Sequence, residues 1–215
     1  MIAIITGTFG VGKTTLIRHI SENYNTDNII ETYDEEILGN YYEAFGNFVK
    51  NKTKESTALM HHAALTSQMY FIAKRLDSFN DALFKKKKDI CILDGSIVSD
   101  EIIAKSLNKN KILDDASYAV YKYYVIGLKE FINKTLGTKK IKIICLHPPS
   151  CEFALSNIKK REHKIETSIT LEYIQQIEEG FKSMECDKHF YLTEKDYDFS
   201  YSTKTFNDII KFIIE

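Results

Sequence analysis

Three observations predict an α/β fold built on a five-stranded parallel sheet flanked by helices. Apolar runs of strand length alternate with amphipathic stretches of helical spacing along the chain. Two of those runs, Asp89–Asp94 and Ile141–Leu146, are apolar almost without interruption, as expected of strands covered on both faces. The N-terminal run from Ile2 leads directly into Gly7-Thr-Phe-Gly-Val-Gly-Lys-Thr14, a G-x-x-x-x-G-K-[ST] loop followed at once by a helix-like pattern at Leu16, Ile17 and Ile20.

Each element can be justified in chain order. The first helix runs to about Tyr24, and Asn28–Glu31 is a short strand ending in a carboxylate. Ile37–Val49 has helical spacing, and the polar stretch 51–57 reads as a loop. From Thr57 to about Lys86 one long helix is predicted, with Lys85–Lys88 as its solvated, dipole-favoured end. After the strand closed by Asp94 come helices over Val98–Leu107 and Asp114–Leu136; the tyrosines 118, 121, 123 and 124 of the second read as core. Ile141–Leu146 is the fourth strand, with Pro148-Pro149 as its exit. Helix Cys151–Lys160, a charged loop over 161–168, helix Thr170–Met184, strand His189–Leu192 and helix Thr205–Ile214 complete the chain.

Composition narrows the function. All 215 residues read as one domain, with no Pro-rich linker and a 44% hydrophobic content sufficient for a core. A formal net charge of −1 argues against a nucleic-acid binder and for small-molecule partners. The four cysteines lack C-x-x-C spacing and read as free thiols in a reducing compartment. The N-terminal apolar run is too short to span a membrane or to be a signal peptide, so a cytoplasmic location is expected. Only Arg18, Arg75 and Arg161 are arginine among 29 basic residues, which matters because lysine lacks the planar fork of arginine.

The phosphate loop carries the chemistry. Gly7, Gly10 and Gly12 let the backbone N–H groups of a nest that includes Val11 face a nucleotide's phosphates; Lys13 reaches the β- and γ-phosphates, and Thr14 offers its hydroxyl to Mg²⁺ at a helix start continued by Thr15. In such a sheet ligands sit at the carboxyl ends of the strands, where Asp94 can hold the Mg²⁺ opposite Thr14. Glu31 can act there as a general base, or orient an acceptor hydroxyl.

Together these residues resemble the deoxynucleoside kinase family, in particular the bacterial deoxyadenosine/deoxyguanosine kinases, over nearly the whole chain. The resemblance implies a P-loop kinase fold with a short lid at about 159–168, ATP and Mg²⁺ as cofactors, and phosphorylation of a deoxynucleoside, a purine by preference, at its 5′-hydroxyl. Ser67–Arg75 is similar to the family's Gln-to-Arg helix, so Gln68 would read the base edge with Arg75 beside it. Asp94–Asp100 is similar to an acid-Arg-Ser segment followed by an Asp, which makes Asp100 the partner of Arg75. Lys160–Glu166 resembles the lid, with Arg161 on the phosphates and Glu166 on the sugar 3′-hydroxyl that Tyr42 shares. Glu31 matches the family's catalytic base, and Lys195–Phe199 resembles its adenine-side loop. Relatives pair through helices like those over Val98–Leu136, whose apolar content permits a homodimer.

The chain also departs from the pattern. The arginine after the strand-end acid is Gly95, Asn157 and His163 stand where lid arginines are usual, and Glu162 replaces a lid glycine. The stretch Phe45–His61 is longer than in the bacterial relatives and lies over the expected cleft. If Gly95 is a simple loss, restoring arginine there should raise phosphoryl transfer. Two alternatives stay open: a deoxynucleoside monophosphate kinase of the thymidylate kinase type, which needs more cationic groups than this chain offers, and a catalytically weak nucleotide-binding or regulatory protein.

Overall fold

A computed structural model describes residues 1–32, 34–136, 140–160, 169–197 and 203–215. Five strands, β1 (Ile2–Gly7), β2 (Asp27–Ile29), β3 (Cys91–Asp94), β4 (Ile141–His147) and β5 (Lys188–Tyr191), form one sheet in the order β2-β3-β1-β4-β5. Every pairing is parallel. The expected architecture is therefore present, with β1 at the centre between β3 and β4.

Alternation along β1 assigns the two layers. Ile2 and Ile4 pack with Met60, Phe79, Leu107 and Tyr121 on one face. Ala3 and Ile5 pack on the other with Leu16, Ile17 and Ile20 of α1 (Lys13–Asn23) and Ile209 and Ile213 of α8 (Lys204–Ile214). A strand buried on both faces must be apolar at every position, which is why the run from Ile2 shows no period-2 alternation.

Helices α2 (Glu35–Asn51) and α3 (Lys54–Asn80) lie closer in sequence than expected. The polar break shrinks because Thr53 and Ser56 form a reciprocal capping box, each side chain meeting the other's backbone N–H, so α3 begins inside the stretch read as loop. At its far end α3 gives way to a π-helical turn, Asp81–Lys85, instead of continuing to Lys86. The remaining helices are α4 (Ile97–Lys109), α5 (Asp115–Leu136), α6 (Cys151–Lys160) and α7 (Leu171–Lys182). On α5 the tyrosine stripe is core only in part: Tyr121 is fully buried, whereas Tyr123 is 76% exposed and Tyr124 is also exposed. Position 123 comes two residues after Tyr121, which turns it away from the face that α5 packs on α3 and α4, while Tyr124 lies at the edge of that face. Among the described residues no helix is long and apolar enough to cross a membrane.

Because Ile5 is fully buried at the sheet centre, Ile5→Ala should lower unfolding free energy by about 2–5 kcal/mol, measured by urea denaturation.

Candidate active site

The carboxyl ends of β1, β2 and β3 converge on one cavity of about 170 Å³, lined by residues from the phosphate loop, the segment after β2, α3, the β3–α4 turn and α7. Three glycines fix the loop. Gly7, Gly10 and Gly12 have φ values of 141°, 75° and 86°, in the region that disfavours a Cβ. At Gly7 and Gly10 a Cβ would also collide with the carbonyl oxygens of Leu146 and Ala154, so the loop lies tight against β4 and α6. Asn157 Nδ2 donates to Gly10 O (3.0 Å) and Tyr197 Oη to Val11 O (3.1 Å), bracing the loop from outside. Lys13 Nζ donates to Gly7 O and Thr8 O at 3.0 and 3.1 Å.

Thr14 stands beside Asp94. Its Oγ1 donates to Asp94 Oδ2 at 2.6 Å, while Asp94 Oδ1 is buried with no hydrogen-bond partner among the described residues. The β1–β3 pairing dictates this proximity, because the register sets Ile5 against Asp94. A hydroxyl and a carboxylate with an unspent buried oxygen are hard donors of the kind Mg²⁺ takes, and one carboxylate is a usual complement for an ion that shares a nucleotide's phosphates.

The acids and the arginine form a second group. Ser96 caps α4 in a reciprocal box with Ser99, which fixes Asp100 one turn into the helix. Gln68 and Arg75, seven residues apart on α3, share a face, and both are buried, at 3% and 5% exposure. Arg75 meets Asp100 as a fork, Nε to Oδ2 at 2.8 Å and a terminal nitrogen to Oδ1 at 3.0 Å, and donates from its other terminal nitrogen to Asp94 O at 3.1 Å. That pairing is the one the resemblance implied. Gln68 Oε1, also buried, has no hydrogen-bond partner among the described residues.

Glu31 lies two residues beyond β2, which ends at Ile29 rather than at the acid. The start of α2 holds the segment in place: Asp34 N–H donates to Tyr70 Oη of α3 at 2.8 Å, and the Asp34 side chain caps α2. Glu31 Oε1 sits 2.7 Å from an Arg75 terminal nitrogen, a salt bridge at hydrogen-bond distance. Arg75 thus holds Asp100 as a fork and Glu31 by a single close contact. Burial raises the proton affinity of Glu31 above its ordinary value, opposed by Arg75 and reinforced by Asp100 and Asp94.

Gly95 is not a simple gap. Its φ is 82°, and a Cβ there would stand 2.7 Å from one Arg75 terminal nitrogen and 2.9 Å from its central carbon. The guanidinium of Arg75 occupies the space that a side chain at 95 would enter, so an arginine at 95 would have to displace it. Tyr42 lines the same cavity, edge-on to Tyr41 with ring centroids 5.1 Å apart. Arg161, Glu162, His163 and Glu166 lie outside the described residues, as does the lid loop they belong to; Asn157 is on α6 and binds the phosphate loop instead.

The sequence reading missed the apolar wall of the cavity. Phe9, Phe71 and Tyr173 line it with Leu38 and Ile103, and Phe9 stacks against Tyr173 at 6.4 Å and 19°. Phe71 could have been found, since it lies three residues after Gln68 on one helix face. Tyr173 comes from α7 and joins Phe9 only through the fold. On the other side of the phosphate loop a separate cavity of about 530 Å³ is bounded by Gly12, Thr15, Phe153, Asn157 and Tyr197. The two cavities meet at Gly10, one on each flank of the loop.

Comparison with known proteins points the same way. A family model described as deoxynucleoside kinase matches residues 3–214. A deoxyadenosine kinase of Dictyostelium discoideum is 27% identical over 188 residues, covering 87% of this chain and 68% of that relative.

Gly95→Ala introduces a Cβ at positive φ against Arg75 and should cost about 1–3 kcal/mol in urea denaturation. Gly95→Arg should lower turnover rather than raise it in steady-state kinetics.

Proposed function

The chain belongs to the deoxynucleoside kinase family and is a kinase that phosphorylates a nucleoside; from that premise we propose that it transfers the γ-phosphate of ATP to the 5′-hydroxyl of a deoxynucleoside, with deoxyadenosine the preferred acceptor. The observation that carries this reading is the placement of Glu31, its carboxylate paired with Arg75, in the same cavity as Lys13 and Thr14 of the phosphate loop.

ATP lies along Gly7, Gly10, Val11, Gly12, Lys13, Thr14 and Thr15, its adenosine end in the larger cavity beside Tyr197. Thr14 and Asp94 would hold Mg²⁺, which would supply charge cancellation for the nucleotide's phosphates. The deoxynucleoside fills the smaller cavity between Phe9, Phe71 and Tyr173. Gln68 offers its amide to the base edge, a donor and an acceptor side by side as an adenine edge requires, and Tyr42 meets the sugar. Arg161 and Glu166 enter from the resemblance alone, as lid cation and 3′-hydroxyl partner. The 5′-oxygen attacks the γ-phosphorus, the bond to the β–γ bridging oxygen breaks, and the hydroxyl proton passes to Glu31, leaving ADP and the 5′-monophosphate.

The raised proton affinity of Glu31 suits a base that must accept a proton as the oxygen attacks. Arg75 supports the site by pairing with Asp100, as the resemblance implied, and with Glu31, and so stands between the base and the acid on α4. A monophosphate acceptor is disfavoured, because Arg75 is the cavity's arginine among the described residues and is already committed to two carboxylates. The exposed Val120, Tyr123, Tyr124 and Phe131 of α5 supply an apolar face for a homodimer.

ATP consumption should be measured with Mg²⁺ against the four deoxynucleosides, their ribose counterparts and the four deoxynucleoside monophosphates, with Lys13→Ala as blank. Turnover of deoxyadenosine above the rest is expected; turnover of monophosphates alone would overturn the assignment. Glu31→Gln should reduce kcat by about 10²–10⁴-fold with ATP binding nearly intact. In the wild type the acid limb of kcat/KM should fall above 4.5, the ordinary value for glutamate, because only the deprotonated form accepts the proton. An acid limb at or below that value would remove Glu31 from the role.

A further inference from the structure

A second cluster of reactive side chains lies on the opposite half of the sheet. Cys145 and His147 are two apart on β4, hence on one face, and the β4–β5 register places His189 directly beside Cys145. From above, α7 lowers Glu178 onto them. Cys145, His147 and Glu178 are all almost fully buried, and a ligand atom of each of Cys145, His147 and His189 lies within 4.8 Å of the other two.

Donor and acceptor bookkeeping shows what this cluster lacks. His189 Nε2 is 3.1 Å from Met184 O; a carbonyl only accepts, so that nitrogen carries a hydrogen and the neutral ring leaves Nδ1 bare. His147 Nδ1 is 2.6 Å from Glu178 Oε1; with the carboxylate ionised, Nδ1 carries the hydrogen and Nε2 is bare. Those two bare nitrogens, His147 Nε2 and His189 Nδ1, face one another at 2.8 Å. At that distance the two nitrogens need a proton or a cation between them. Glu178 adds to the need, since its Oε2 is buried without a hydrogen-bond partner among the described residues.

A shared proton would answer the two nitrogens, while the Cys145 thiol beside them makes only a long hydrogen bond to Phe181 O at 3.9 Å. We propose that Cys145, His147 and His189 bind a divalent metal ion of the zinc class, with Glu178 and the Met184 carbonyl as the outer partners that orient the two imidazoles. One thiolate and two imidazoles are the donors such an ion selects over Mg²⁺. Ligating histidines characteristically give their other N–H to a carboxylate or a backbone carbonyl, and both do so here. Metal–nitrogen bonds of about 2.0–2.1 Å at a tetrahedral ion need the rings to part by roughly half an ångström. His189 can yield, because β5 is an edge strand and its ring is only partly buried. The ion would staple that edge to β4 and α7, and binding displaces the Cys145 thiol proton to solvent.

The test uses the full chain, stripped with a chelator and desalted under reducing conditions, then titrated with Co²⁺ and with Zn²⁺. One Co²⁺ per chain is expected, with thiolate-to-cobalt charge-transfer absorption, displaced by Zn²⁺ and unaffected by Mg²⁺. Cys145→Ser should abolish that absorption, and Glu178→Gln should weaken Zn²⁺ binding by about 10–100-fold. His189→Gln, at the most exposed ligand, should weaken it at least as much with circular dichroism unchanged. Failure to take up Co²⁺, or a charge-transfer band that survives Cys145→Ser, would overturn the proposal. So would ¹⁵N imidazole spectra that keep a proton between His147 and His189 in the presence of Zn²⁺. Nucleoside kinase turnover tests a different half of the sheet, and neither result decides the other.

Discussion

The guanidinium of Arg75 is the contact on which the rest of the acceptor cavity depends. It is buried, it binds Asp100 through two hydrogen bonds and the Asp94 carbonyl through a third, and its charge stands against Glu31. Three structural units, α3, the β3–α4 turn and the segment after β2, thereby share one cation. Removing it would leave two buried carboxylates uncompensated, a loss far larger than that of a surface ion pair. The same contact disfavours a side chain at position 95, where the φ of 82° suits glycine and a Cβ would crowd the guanidinium. A single arginine divided between two acids cannot serve both equally: the fork goes to Asp100, and Glu31 is held by a single close contact.

Much of this was legible in the sequence, where local rules and tertiary demands coincide. The run Ile2–Thr15 reads as strand, loop and helix because a strand buried on both faces and a glycine-rich nest each leave a composition that few other structures produce. The seven-residue interval between Gln68 and Arg75 placed both on one face of α3 without any tertiary information. Less legible were features set by two segments at once. Glu31 reads as a strand end, but β2 stops at Ile29, and the position of the acid is set by Tyr70 and by the cap at Asp34. Tyr123 and Tyr124 read as core by residue type, yet both are exposed, Tyr123 because its angular position on α5 turns it outward. Gly95 reads as a missing charge because its relation to Arg75 exists only in space.

The cluster around His147 shows the same limit from the other side. No spacing ties Cys145, Glu178 and His189 together in the chain, and each alone suits an ordinary core or surface position. Only the i, i+2 pair on β4 is a local signal, and it acquires meaning when β5 comes into register and α7 crosses above. The fold thus separates two chemistries by strand: hard oxygen donors at the ends of β1 and β3, sulfur and imidazole on β4 and β5.

The position of β1 carries a consequence for how the chain reaches this state. β1 pairs with Cys91–Asp94 and with Ile141–Leu146, segments that leave the ribosome only after some 85 and 135 further residues. Until then an apolar strand has both edges unpaired, a template for association with other nascent chains. Sheet formation therefore cannot be completed around β1 until both downstream segments have been made. It must wait for closures of long range, which places this chain among the slow-folding topologies and makes its yield in a cell sensitive to the time β1 remains without a neighbour.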